Sequence, residues 1–184
     1  SGYTERPDPN FGIIRQMQPE GFFEGNGLDV SLRGRVNRYF TGFGRYTFSH
    51  YNSNTNGIGW FPQNQYAAND EWGRSSWDRR NRVSMYAMVN PKSVYNIAAR
   101  IFANTDRPYT ITTDTDAYGD GFFNTHPDGV PRNSETMPSY VDFDLRWGHE
   151  FPITANHDEE APRVGFSAGA FNLLNHENPY SVDT

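Results

Sequence analysis

From residue 27 to residue 51 the side chains change character at every step, and the pattern is interrupted only at Asn37 and Arg38. Leu28, Val30 and Leu32 alternate with Asp29, Ser31 and Arg33. Beyond the interruption Phe40, Gly42, Gly44, Tyr46 and Phe48 alternate with Thr41, Phe43, Arg45, Thr47 and Ser49. A period of two places successive side chains on opposite faces of an extended chain. The sequence therefore predicts two strands, 27–36 and 39–51, joined by a tight hairpin, each with one apolar and one polar face.

The same period returns downstream. Residues 82–89 set Val83, Met85, Ala87 and Val89 against Ser84, Tyr86 and Met88. A turn at 90–93, where Pro91 fixes φ and removes a ladder donor, leads to a returning strand at 94–103. Residues 140–151 alternate most cleanly: Val141, Phe143, Leu145 and Trp147 against Asp142, Asp144, Arg146 and Gly148. A last strand is expected at 163–175, with Val164, Phe166, Ala168 and Ala170 on its apolar face, and a short one near Phe11–Ile14. Polar loops at 52–79 and 104–138 separate the hairpins, so connections run short, long, short, long and moderate.

Short turns at one end and long polar loops at the other form the layout of an antiparallel transmembrane β-barrel. The expected fold class is all-β: six to seven strands of a larger barrel, with short periplasmic turns and long extracellular loops. Composition agrees, since hydrophobic residues make up only 35% of the chain while aromatics reach 16%. One strand face meets lipid, the other meets water, and aromatic residues mark the interfaces. No run is long enough for a transmembrane helix, but strands cross with about ten alternating residues. A soluble β-sandwich would also alternate. Charged faces such as Asp142, Asp144 and Arg146, and apolar-face aromatics near strand ends (Tyr39, Phe40, Tyr140, Trp147), favour the barrel.

The chain has no cysteine, which excludes disulfides and thiolate metal sites. A net charge of −6 argues against a nucleic-acid surface. Lys92 is the single lysine among 16 basic residues. The arginines suit bidentate pairing with lumenal acids or with lipid A phosphates near the rim; a bias in residue usage would account for the same excess.

Several ordered segments resemble the C-terminal barrel region of TonB-dependent outer-membrane receptors, in the Acidobacteria-type branch that carries a carboxypeptidase-regulatory-like domain. They are Asn26-Gly27-Leu28-Asp29-Val30-Ser31-Leu32-Arg33, Tyr46-Thr47-Phe48-Ser49, Trp77-Asp78-Arg79-Arg80-Asn81-Arg82, Arg107-Pro108-Tyr109-Thr110, Asp120-Gly121-Phe122-Phe123-Asn124, Tyr140-Val141-Asp142-Phe143-Asp144-Leu145-Arg146 and Ala170-Phe171-Asn172-Leu173-Leu174-Asn175. The resemblance implies a barrel of about twenty-two strands around an N-terminal plug. Residues 1–184 would then form about a third of one barrel domain, with the plug, the TonB box and the closing strand lying elsewhere. It also implies active uptake of an unidentified nutrient, driven by the TonB complex acting on the plug, in the outer membrane of a bacterial cell.

Site expectations follow from the two faces. Leu28, Val30, Leu32, Val141, Phe143 and Leu145 are expected to face lipid. Asp29, Arg33, Arg45, Arg100, Asp142, Asp144 and Arg146 are expected to line the lumen or meet the plug. Loop residues Trp60, Trp72 and Trp77 can stack on a sugar or another flat ligand, or pack the loop against its neighbours. Residues 114–124 resemble a calcium loop, with Asp114, Asp116, Asp120 and Asn124 as oxygen donors and Gly121 at the turn; an Asp/Gly-rich turn reads the same way. The histidines, His157 included, lack zinc-type spacing. No nucleophile setting or phosphate loop is present, so no enzyme activity is expected. Expected partners are outer-membrane lipid, the plug, the TonB complex and an unknown small-molecule, glycan or peptide substrate. A plugless porin or structural barrel protein, and a soluble or cell-surface glycan-binding module, are the alternatives.

Overall fold

A computed structural model describes residues 15–92, 95–153 and 162–181. The strand expected near Phe11–Ile14 and the charged connection containing His157 lie outside the described residues. Nine strands appear in order: β1 (Phe23–Arg35), β2 (Phe40–Ser53), β3 (Gly73–Arg74), β4 (Asn81–Lys92), β5 (Tyr95–Asn104), β6 (Pro108–Tyr109), β7 (Glu135–Thr136), β8 (Tyr140–Pro152) and β9 (Arg163–Ala170). The six long ones form one antiparallel sheet in the order β1-β2-β4-β5-β8-β9, and β3 pairs with the end of β2. The sheet is open: β1 and β9 each have one edge without a strand partner among the described residues.

The hairpins form where the sequence predicts. At β1–β2 the Asn37 side-chain oxygen accepts the N–H groups of Tyr39 (2.8 Å) and Phe40 (3.0 Å), and Arg35 Nε donates to the Asn37 carbonyl (3.2 Å). This side-chain closure, beside a backbone bond from the Val36 N–H to the Phe40 carbonyl (3.2 Å), pins a register of thirteen cross-strand pairs, from Phe23 opposite Ser53 to Arg35 opposite Thr41.

Three boundaries differ from expectation by more than two residues. β1 begins at Phe23 rather than residue 27, because β2 runs on to Ser53 and supplies a partner for every added residue. The expected turn at 90–93 starts later: β4 continues to Lys92 across an irregularity between Val89 and Lys92, where Pro91 has no N–H to give the ladder. The expected strand 163–175 stops at Ala170. Asn172 takes a left-handed φ of +46°, and its N–H turns to the Asp144 carboxylate (3.1 Å), while Leu173 N–H bonds the Phe143 carbonyl (2.7 Å). The chain thus folds back across β8. There Asn178 exchanges two hydrogen bonds with the backbone of Val141 (3.0 and 2.9 Å), a side-chain amide standing in for a neighbouring strand.

Burial is inverted relative to a protein that folds around an oily core. Met137 is the one buried hydrophobic residue among those described, whereas Ser49, Ser53, Asn54, Glu71, Ser75, Asp78, Asn104, Asp106, Arg132 and Asn133 are all buried. Leu28 is 59% and Leu32 77% exposed. The sheet therefore carries its apolar side chains outward as a continuous surface, and the packed interior lies in the loops.

Candidate functional site

Cross-strand partners share a face, so the registers extend the two-face reading across all six strands. Starting from Asp29, the polar face passes through Thr47, Arg82 and Asn104; the neighbouring row runs Ser31, Arg45, Ser84, Phe102 and Asp142; the next runs Arg33, Phe43, Tyr86, Arg100 and Asp144. Arg146 continues the face between Ala98 and Gly169. Leu28, Val30, Leu32, Val141, Phe143 and Leu145 all fall on the other face. Tyr140, grouped with the apolar-face aromatics from sequence, stands on the polar face opposite Asn104 and meets the Phe102 ring edge-on at 5.8 Å. Its even number gives it the parity of Asp142.

Ion pairs knit the polar face. Arg45 binds the Asp29 carboxylate through Nε (2.7 and 3.0 Å) and Nη2 (2.7 Å), and Thr47 Oγ1 donates to it at 2.8 Å. Arg100 bridges Asp142 (3.0 Å) and Asp144 (2.5 Å). In the six strands this face holds Arg33, Arg35, Arg45, Arg82, Arg100, Arg146 and Arg163 against Asp29, Asp142, Asp144 and Glu150. It is thus net positive although the whole chain carries −6. On the apolar face, rings gather toward the short-connection end: Tyr95 stacks on His149 (4.1 Å), His149 meets Phe151 (4.0 Å), and Trp147 meets Phe166 (6.0 Å). Such a belt suits the boundary between hydrocarbon and headgroups.

The loops at the opposite end form a polar knot. Arg132 is 3% exposed. Its Nε donates to the Glu71 carbonyl (2.9 Å), Nη1 to Asn56 Oδ1 (2.5 Å) and Nη2 to the Ser53 carbonyl. The Glu71 carboxylate lies 3.8 Å away and accepts the Gln63 N–H (2.8 Å). Asp78, fully buried, accepts from Tyr51 N–H (3.0 Å), Arg74 Nε (2.9 Å) and Arg80 Nε (3.3 Å). Asn133 Nδ2 then donates to the Arg74 carbonyl (2.7 Å). Loop 54–80 and loop 105–139 are bolted together by these bonds, because buried charges and amides persist only when partnered.

A cavity of about 420 Å³ opens in this knot, lined by Trp60, Arg107, Tyr109, Asn124, His126 and Arg132 among others. The Arg132 guanidinium lies 5.4 Å from the Trp60 ring centre. Asn124 donates to the Phe61 carbonyl (3.0 Å), while its buried Oδ1 has no partner. Arg107 bonds the Tyr180 carbonyl at 2.9 Å. The lining offers aromatic faces, amides and cations together, a set that suits a polar ligand with flat surfaces.

Of the three loop tryptophans singled out from sequence, Trp60 reaches this cavity. Trp72 packs on Phe22 (ring centres 5.5 Å apart), and Trp77 is 73% exposed. In the 114–124 loop the Asp116 carboxylate accepts N–H groups from Asp120 (3.0 Å) and Gly121 (2.9 Å), and Asp120 accepts from Phe122 (3.0 Å). Asp114, Gly119 and Gly121 have left-handed φ values of +51°, +69° and +85°. Among the described residues no three His, Asp or Glu side chains converge to hold a metal. His126, Arg132 and Asn133 were not anticipated; each stands in a loop with no periodicity to mark it.

Burial pushes the His126 pKa below the usual histidine value of 6.5; Glu71 opposes the shift and Arg132 adds to it. A lowered folded pKa means that the folded loops bind fewer protons than the unfolded ones. The stabilisation is present above 6.5 and is lost as pH falls through the folded pKa. Proteolysis of the loops in the assembled protein should accelerate on acidification from pH 7 toward 5, and His126→Gln should flatten that dependence. An unchanged pH profile in the variant would count against this role.

The profile of the outer membrane beta barrel domain family matches residues 1–94, just over half the chain. The chain belongs to that family. Its place is the bacterial outer membrane, and the exposed apolar face of the sheet is the surface such a location requires. The outer membrane barrel profile covers β1, β2, β3 and β4, and the registers carry the same sheet on through β5, β8 and β9. Comparison with curated proteins and with solved structures gives no match.

Proposed function

We propose that this chain is part of the wall of a TonB-dependent receptor that takes up a nutrient across the outer membrane. Its apolar face meets lipid, its polar face lines the lumen, and the long loops point outward. The observation that carries this reading is the loop knot around Arg132, Glu71 and Asp78. It holds a cavity lined in part by Trp60 and Tyr109 among the long loops, where a receptor would collect its ligand. Six strands in an open sheet are too few for a transmembrane barrel, which starts at about eight. Both free edges need further strands, since lipid offers no hydrogen bonds to an unpaired edge. The ordered motifs from Asn26 to Asn175 supply the resemblance to the receptor family, and with it the expectation of a plug and of the TonB complex as partners.

The test is permeability. The native outer-membrane protein containing these residues, reconstituted into liposomes, should stay closed to small sugars and ions, because a plug fills the barrel. Whole-cell uptake of its nutrient should require the inner-membrane energy complex. Free diffusion through the reconstituted protein, together with uptake that survives loss of that complex, would replace this reading with a plugless porin.

A further inference from the structure

The polar face holds a second hollow, of about 570 Å³, away from the loop cavity. It is lined by Asp29, Phe43, Arg45, Thr47, Arg82 and Phe102 among others. Two guanidinium groups and one carboxylate meet here, and they are unequally engaged. Arg45 binds Asp29 through Nε and Nη2. Arg82 stands opposite Thr47, on the next strand over from that pair. Its guanidinium makes no hydrogen bond or close ion pair among the described residues, although it feels the Asp29 charge across the hollow, and its Nε is enclosed without an acceptor. Arg82 as a whole is half-buried, so its terminal nitrogens, rather than the enclosed Nε, are the donors left for an acceptor from outside the protein.

We propose that this hollow is an anion-binding station, in which Arg82 receives a carboxylate, phosphate or sulfate group of a small solute in the lumen. The geometry matches that chemistry. A guanidinium presents its donors as a planar fork to two oxygens of one oxyanion. Asp29 is held by Arg45 and Thr47, so two guanidinium groups outweigh one carboxylate in the hollow. Phe43 and Phe102 stand on the same face and bound the hollow with apolar surface, so an oxyanion attached to a flat ring fits better than a bare ion. The surplus of arginine over carboxylate across the polar face draws anions toward it. The proposal rests on the reading that this face is wetted by the lumen.

Arginine modification by phenylglyoxal in the native outer-membrane protein, mapped by peptide mass spectrometry, tests it. Arg82 should react several-fold faster than Arg45. Millimolar benzoate should slow the Arg82 reaction several-fold, phosphate should slow it less, and neutral benzamide should leave it unchanged. Equal reaction at both arginines, no protection by either anion, or equal protection by benzamide would overturn the station. The chain has no cysteine, so Ser31→Cys reports on the face alone. Ser31 lies on the polar face opposite Arg45. Its labelling by a membrane-impermeant maleimide, alongside an unprotected Arg82, would reject the station and leave the lumen reading standing. A Ser31→Cys site labelled only by a lipid-soluble maleimide would set this face against lipid and remove the lumen reading and the station with it.

Discussion

Truncating Arg132 to alanine should loosen the long loops by about 3–5 kcal/mol, the usual cost of removing one partner from a buried charge pair. The side chain answers three acceptors at once, the Glu71 and Ser53 carbonyls and the Asn56 amide, and it faces the Glu71 carboxylate at 3.8 Å. Without it the buried carboxylate stands uncompensated, and two carbonyls lose their donor. The strands do not depend on this knot, so the damage should be local. Limited trypsin digestion of the assembled protein should cut loops 54–80 and 105–139 in the variant and spare both in the parent. Combining Arg132→Met with Glu71→Gln should recover part of the loss, because the second change removes the orphaned charge. Loops as resistant in Arg132→Ala as in the parent would mean that the knot contributes nothing to their order.

Leu145→Arg should destabilise the folded barrel by about 2–4 kcal/mol, the cost of a lipid-facing arginine near the bilayer midplane. Leu145 lies mid-strand in β8, between Ala99 of β5 and Ala170 of β9, with Val141 and Phe143 before it and Trp147 after it on the same face. Neither cross-strand neighbour offers a carboxylate. Asp144→Asn, one residue away on the polar face, should cost much less, since the remaining amide oxygen keeps one of the two bonds, from Arg100 or from the Asn172 N–H, and Arg100 still has Asp142. Denaturant unfolding in lipid vesicles reads both. Equal small effects would sink the assignment of the two faces.

The strand set and the two faces were legible because a β-strand writes its geometry locally. A period of two needs no knowledge of the partner, so Leu28, Val30 and Leu32, or Asp142, Asp144 and Arg146, declare their sides within a few residues. Register then follows, because slipping one strand by a residue would turn a dry face into a wet one. The short turns were equally local: Asn37 closes the first hairpin with its own side chain.

Endings and loops were decided only by the tertiary structure. β9 stops at Ala170 because Asn172 reaches β8 rather than a strand partner, a choice made by a residue 28 positions away. Arg132 finds its acceptors 61, 76 and 79 positions back along the chain, and nothing within the 105–139 loop distinguishes it from any other surface arginine. Trp60, Trp72 and Trp77 read alike as loop aromatics, yet folding places one in a cavity, one against Phe22 and one in solvent. The sequence by itself determined a membrane wall with an apolar and a polar side, since alternation and turn chemistry act between near neighbours. Which loop residues are buried, and which arginines on the polar face are left unpaired, arise from contacts between distant segments. They exist only once the strands have brought those segments to the same end of the sheet.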